Sequence, residues 1–294
     1  MRIVRLMNVD IYLNVFFLGL LGLFFVAGVM GKGLIAFAAV FFHELAHAAA
    51  ARRLAVPVAE VELLPFGGVT RVGGEMILDP AKESIIAAAG PASNLLMAAA
   101  ALALKNHGFW HDELGPFFLQ CNLLIAAFNL LPALPLDGGR VYRAHLASKT
   151  GIRDATYRAA GLGQIWAAGV VLLGAFGLLF RISGLDILLT GLFLFYAATR
   201  EKGAAPYLFA RHLTRKKEDL AGARVLPAKP LVVMENVTLG EITRPFLPQK
   251  FHLVLVLDKR LRYRGMLTET QIIDGLLEHG FDAPVGRLLP VPPE

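Results

Sequence analysis

Six long apolar runs, basic residues that alternate between the connecting loops, and a change of composition near residue 200 predict the fold class. It is an all-α polytopic membrane protein of six transmembrane helices with a short membrane-reentrant β-hairpin, followed by a small C-terminal α/β domain. The chain of 294 residues is 56% hydrophobic and 18% charged, against roughly half and about a quarter in soluble domains.

The runs are 11–30, 33–51, 84–104, 116–136, 163–180 and 184–199, each near the roughly 20 residues that cross a bilayer. The first is too long for a signal-peptide core, lacks a small-residue cleavage site and contains Asn14, so it reads as a span. Arg2 and Arg5 precede it, and only Lys32 follows. The 52–83 loop then carries Arg52, Arg53, Arg71 and Lys82, and the 105–115 loop only Lys105. The 137–162 loop carries Arg140, Arg143, Lys149, Arg153 and Arg158, the next only Arg181, and RHLTRKK follows the last span. Basic loops face the cytoplasm, so a multi-pass membrane protein with both termini cytoplasmic is expected.

Between the second and third spans, VAEVELLPFGGVTRV alternates and then breaks at Pro65 and Gly67-Gly68. This predicts two short strands and a turn. The stretch is apolar enough to enter the membrane edge, where irregular backbone persists only under protein cover. Residues 201–225 are charged and read as a linker helix. Residues 226–294 alternate β-rich runs (LVVM, HLVLVLD, YRGMLT) with the amphipathic TQIIDGLLEHG. The expected division is a membrane domain at 1–200, a linker at 201–225 and a cytoplasmic domain at 226–294.

Cys121 is the single cysteine, so no intramolecular disulfide forms. The net charge of +6 comes mostly from loop residues that topology already accounts for, and no direct nucleic-acid partner is expected.

FFHELAHAAA, residues 41–50, places two histidines and a glutamate in an apolar run, where ionisable groups are costly. On a helix His43 and His47 are i and i+4, so both imidazoles leave one face and can hold one metal ion. Glu44 lies one step round, placed to take a proton from water. Zn²⁺ is the default for two nitrogens and an oxygen with an open fourth position. FNLLPALPLDGGR supplies Asp137 as third ligand: Pro132 and Pro135 break the helix before it, and Gly138-Gly139 follow. The topology puts the ends of the second and fourth spans at one depth. Rival ligands are Glu60, Glu62 and Asp79 near the hairpin, and His107 and His111 in an outer loop. Asn94, Asn122 and Asn129 also lie in spans; each can bind a neighbouring helix, and Asn129 is also placed to donate to a developing oxyanion. Two other readings stay open: a metal transporter with a regulatory domain, which would need ligands at several depths, and an inactive binding protein, which would not need Glu44.

HELAH on the second span together with NLLPALPLDGG resembles the site-2 protease family of intramembrane zinc metalloproteases, as do AGPASN at 89–94 and LLPFGG at 63–68. The likeness is strongest to its stage IV sporulation protein FB branch, which has six spans and one C-terminal CBS domain. The resemblance implies that His43, His47 and Asp137 hold zinc and that Glu44 is the general base. It implies that Asn129 and Pro135 lie near substrate, and that Pro65, Phe66, Gly67 and Gly68 belong to a reentrant loop that binds substrate as an added strand. HLVLVLDKRLRYRGMLTETQIIDGLL follows a CBS strand–turn–strand–helix pattern, with Gln271 where many such motifs place an acidic residue for a nucleotide ribose. The implied cofactors are one Zn²⁺ and, at the CBS-like domain, ATP or another adenine nucleotide. The implied partners are a membrane-associated protein substrate such as the sporulation pro-sigma-K factor, inhibitory membrane proteins, and a second copy of the chain through the CBS-like domain. The implied location is a bacterial cell membrane, in particular the membrane surrounding the forespore.

Overall fold

The computed structural model describes residues 2–6, 9–13, 15–56, 58–64, 67–72, 79–108, 110–182, 184–222, 227–247 and 250–290. By contact the chain divides into two units, 1–142 with 159–199, and 143–158 with 200–294. The second therefore takes in a stretch that lies within the expected membrane domain.

The first unit begins with strands β1 (Arg2–Leu6) and β2 (Val9–Leu13), then helices α1 (Val15–Val26) and α2 (Met30–Arg53). Strands β3 (Val58–Leu64) and β4 (Gly67–Val72) follow, then α3 (Pro80–Asn106), α4 (Leu114–Asn129) and the start of α5 (Asp137–Thr150). Most of α6 (Ile152–Leu179) and the first part of α7 (Leu185–Gly222) complete it. Helices α2, α3 and α4 pack on one another, and β3 and β4 pack on α2. Small residues make the inner faces: Ala39, Ala51, Ala87, Ala126 and Ala167 are buried, while Leu96, Leu124 and Leu172 point outward. Lipid is as apolar as leucine, so bulky side chains gain nothing by facing inward and small ones let backbones approach. Among the described residues α2, α3 and α6 are long and apolar enough to cross a membrane, and α4 is a shorter apolar helix.

Two expected spans are redrawn. The run 11–30 is not one helix: Ile11–Leu13 close β2, and α1 has 12 residues, about 18 Å. Isoleucine, valine and tyrosine before the break suit a strand as well as a span, and hydropathy does not separate the two. The run 116–136 ends early, because α4 stops at Asn129 ahead of Pro132.

The expected hairpin at 58–72 is present as β3–β4, with Leu63 opposite Gly68 and Leu64 opposite Gly67; Pro65 and Phe66 lie outside the described residues. It belongs to a larger sheet of order β1-β2-β3-β4, in which β2 runs parallel to β3. The N-terminal pair β1–β2 is not among the elements that the sequence pattern predicts.

In the second unit β5 (Ala228–Met234) pairs parallel with β6 (Phe251–Leu257), which pairs antiparallel with β7 (Tyr263–Thr268). The short α8 (Leu239–Ile242) and α9 (Glu269–His279) start in capping boxes, Thr238 with Glu241 and Thr268 with Gln271. The alternate residues His252, Val254 and Val256 of β6 are buried, as are Ile272, Ile273 and Leu276 of α9.

Candidate metal centre

The site grows from α2, α3 and the turn before α5. His43 and His47 are buried on one face of α2, with ring centroids 4.7 Å apart. Helix α3 opposes them with three residues spaced by four, Ile86, Gly90 and Asn94, which share one face. The His47 Nδ1–H donates to the Ile86 carbonyl at 2.7 Å, and the His43 Nδ1–H donates to Asn94 Oδ1 at 2.5 Å. Both partners are acceptors only, so in the neutral rings Nδ1 carries the proton and Nε2 carries a lone pair. Gly90 sits between: a Cβ there would lie 2.6 Å from His43 Nε2 and nearer still to His47 Nε2.

Asp137 arrives by a different device. After Asn129 the chain turns through 130–136, with a cis Leu134–Pro135 peptide, and Asp137 opens α5. The Leu134 N–H donates to the Ala159 carbonyl of α6 at 3.3 Å. Gly138 and Gly139 let the turn fold onto the first turn of α5: a Cβ on Gly138 would lie 2.5 Å from the Leu131 carbonyl oxygen, and one on Gly139 2.6 Å from that of Ala133. Asp137 is thus the first residue of α5.

The three side chains meet. Asp137 Oδ2 lies 3.0 Å from His43 Nε2 and 3.1 Å from His47 Nε2, and the two Nε2 atoms are 3.1 Å apart. All three are buried. Three lone-pair-bearing atoms turned on one another repel unless a metal ion or a proton sits among them. In a tetrahedral zinc site with bonds of about 2.0–2.1 Å the donor atoms stand about 3.3–3.4 Å apart, so the separations fit with a shift of a few tenths of an ångström. This donor set and its geometry suggest Zn²⁺.

Glu44 is half-buried on the same helix, one step round from His43. Asn129 ends α4 with its amide donating to its own helix, to the Ile125 carbonyl at 3.0 Å. Pro135 is half-buried in the turn that leads to Asp137. Of the rivals, His107 and His111 bond locally, His107 to the Ala103 carbonyl and His111 to the backbone N–H groups of Glu113 and Leu114. Asp79 caps α3. The side chains of Glu60 and Glu62 lie outside those described. Asn94 and Asn122 take a larger part than their sequence positions suggest: Asn94 Nδ2 donates to Asn122 Oδ1 at 2.8 Å and to the Ala39 carbonyl at 3.4 Å. The spacing of Ile86, Gly90 and Asn94 is the sequence signal for that face of α3.

Known proteins point first to a class. Residues 33–110 match the model of peptidase family M50. Rip3 of Mycobacterium tuberculosis is 39% identical over 185 residues, 58% of this chain and 46% of that protein. "Zinc metalloprotease MJ0392" of Methanocaldococcus jannaschii is 27% identical over 212 residues, 68% and 60% of the two chains. The stage IV sporulation protein FB of Bacillus subtilis is 36% identical over 102 residues, 35% of each. The chain spans about half the length or less of most of these curated relatives. The solved structure of a site-2 protease from Methanocaldococcus jannaschii superposes with a TM-score of 0.54 at 28% identity, covering 69% of this chain and 94% of that one. Together these matches make the chain similar to metalloproteases, and more particularly to a site-2 protease.

Proposed function

We propose that this chain is an intramembrane zinc metalloprotease that hydrolyses a peptide bond of a membrane-associated protein near the cytoplasmic face. The observation that carries it is the convergence of His43 Nε2, His47 Nε2 and Asp137 Oδ2, with each ring's N–H spent on α3. These three residues hold the ion, which when bound supplies a Lewis acid that polarises the scissile carbonyl and acidifies water. The Glu44 carboxylate takes the proton from the attacking water and delivers it to the leaving amine. Asn129 and Pro135 face the substrate, and the Asn129 amide, released from Ile125, donates to the developing oxyanion. The β3–β4 hairpin, with Gly67 and Gly68 and the adjoining Pro65 and Phe66, guides an unwound substrate strand. Strand β4 is one of the two edges of the described sheet, which suits strand addition.

The finer reading is a six-span protein of the bacterial cell membrane with cytoplasmic termini and a CBS-like domain that binds a second copy and an adenine nucleotide. Its substrate is the sporulation pro-sigma-K factor and its location the membrane around the forespore, where inhibitory membrane proteins restrain it. LLPFGG and the partial match to the Bacillus protein support this branch. The alternative substrates are an anti-sigma factor or a signal-peptide remnant.

The test is Glu44→Gln in a reconstituted cleavage assay with zinc quantified. Lost cleavage with zinc retained is expected. Cleavage that survives overturns Glu44 as base. Zinc flux into liposomes with no proteolysis of any candidate would favour a transporter.

A further inference from the structure

Resting on the zinc reading, we propose that Asn122 is a positioning residue that fixes the tautomer of His43 through Asn94. Hydrogen-bond polarity is handed along one chain of groups. It begins at the Phe118 carbonyl, which can only accept, and which takes the Asn122 Nδ2–H at 2.9 Å. That bond turns Asn122 Oδ1 away from Phe118 and towards α3. Asn94 must then present its NH₂ to Asn122 Oδ1, at 2.8 Å. The Ala39 carbonyl, a second acceptor, takes the other Asn94 proton at 3.4 Å. Both Asn94 protons are now used, so only Oδ1 remains for His43, and Nδ1 must be the protonated nitrogen.

An amide flip anywhere along this chain would reverse it. A flipped Asn94 would bring its NH₂ to His43 Nδ1, move the ring proton to Nε2 and remove a metal-binding lone pair. Asn94 and Asn122 are fully buried, so no water compensates for a reversed link. His47 needs no relay, because its Nδ1 meets the Ile86 carbonyl directly. The two histidines therefore reach one tautomer by different routes: one contact with backbone for His47, and for His43 a side-chain amide held at 2.8 Å by a second amide and at 3.4 Å by the Ala39 carbonyl.

The test uses the full chain in detergent micelles with two readouts. One is ¹⁵N imidazole shifts of His43 in metal-free protein, assigned by difference from His43→Gln. The other is zinc affinity by chelator competition. The wild type is expected to show His43 protonated at Nδ1 alone. Asn122→Leu, similar in volume, is expected to give mixed tautomers and about 10- to 100-fold weaker zinc binding. Asn122→Asp, protonated when buried, donates to Phe118 and accepts from Asn94, so it is expected to restore one tautomer and near wild-type affinity. If Asn122→Leu disturbs folding by thermal melt, the tautomer in Asn122→Asp decides. The proposal is overturned by an unchanged His43 tautomer in a folded Asn122→Leu chain, or by mixed tautomers in Asn122→Asp. The tautomer readout needs no metal and no protease activity, so failure of the zinc reading leaves it standing as a separate result.

Discussion

Gly90 of α3 lies directly against the imidazole of His47, so close that an added Cβ would overlap the ring. Glycine in a helix interior is a cost of about 1 kcal/mol relative to alanine, and here the close approach of α3 to the histidine pair offsets it. Gly90→Ala should therefore lose zinc affinity by at least about tenfold, as displaced ligand shells do, although it favours the isolated helix. Chelator competition measures the first and circular dichroism the second. Equal affinity in wild type and variant would show that α3 can retreat without disturbing His43 or His47.

A second set of glycines tests the Asp137 turn. A Cβ on Gly138 or Gly139 meets backbone of residues 130–134, and one on Gly163 of α6 meets the Leu134 carbonyl. Backbone yields less readily than a side chain, and overpacking of this kind costs about 1–3 kcal/mol. Alanine at Gly138, Gly139 or Gly163 should lower the thermal midpoint and the zinc content together. Gly161 and Gly169 lie on the same α6, and a Cβ added at either would meet nothing within 4 Å. Alanine there should be neutral or stabilising by up to about 1 kcal/mol. Loss of zinc in the Gly161 or Gly169 variants would contradict this origin of the turn.

What could be read from the sequence divides along physical lines. His43, His47 and Asp137 are residue types that an apolar run tolerates only with a partner, so their chemistry and spacing stand out without any knowledge of the fold. The hairpin is legible because alternation and Gly-Gly report strand and turn directly. The first run misleads because hydropathy cannot tell a strand followed by a short helix from one long helix: Val9–Leu13 include the same apolar residue types as α1. Asn94 and Asn122 are visible as polar residues in spans, yet their pairing across 28 positions depends on how α3 and α4 pack. Gly90 is legible only as part of a motif, since its reason is the neighbour it approaches.

Removing the metal should leave the helices standing. The Ile86 carbonyl and Asn94 hold the two imidazoles through Nδ1, on the side away from the ion, so those bonds survive chelation. A chelated sample should keep its far-ultraviolet circular dichroism while losing cleavage. Its stability should fall by the binding term alone, about 2.7 kcal/mol where zinc had stood at 100 times its dissociation constant. Collapse of helicity on chelation would mean that the ion organises α2 and α3 rather than entering a site that they have already shaped.

The second unit offers a prediction independent of zinc. His252 and Glu269 are fully buried, and one oxygen, Glu269 Oε2, takes both the His252 backbone N–H at 2.8 Å and its Nδ1–H at 2.9 Å. The His252 Nε2 accepts the Leu247 N–H at 3.3 Å, and Phe246 stacks on the ring at 4.6 Å. This one side chain joins the start of β6, the first residue of α9 and the turn before β6. Glu269→Ala would orphan two buried donors, each worth about 1–3 kcal/mol. Glu269→Gln keeps an acceptor oxygen and should cost less. Denaturant unfolding of the full chain, followed by a probe placed in residues 228–290, should rank wild type above Gln and Gln above Ala. Thr268→Ala, which removes only the α9 cap, should cost about 1 kcal/mol. If Glu269→Ala cost no more than Thr268→Ala, the buried pair would not be what ties β6 to α9.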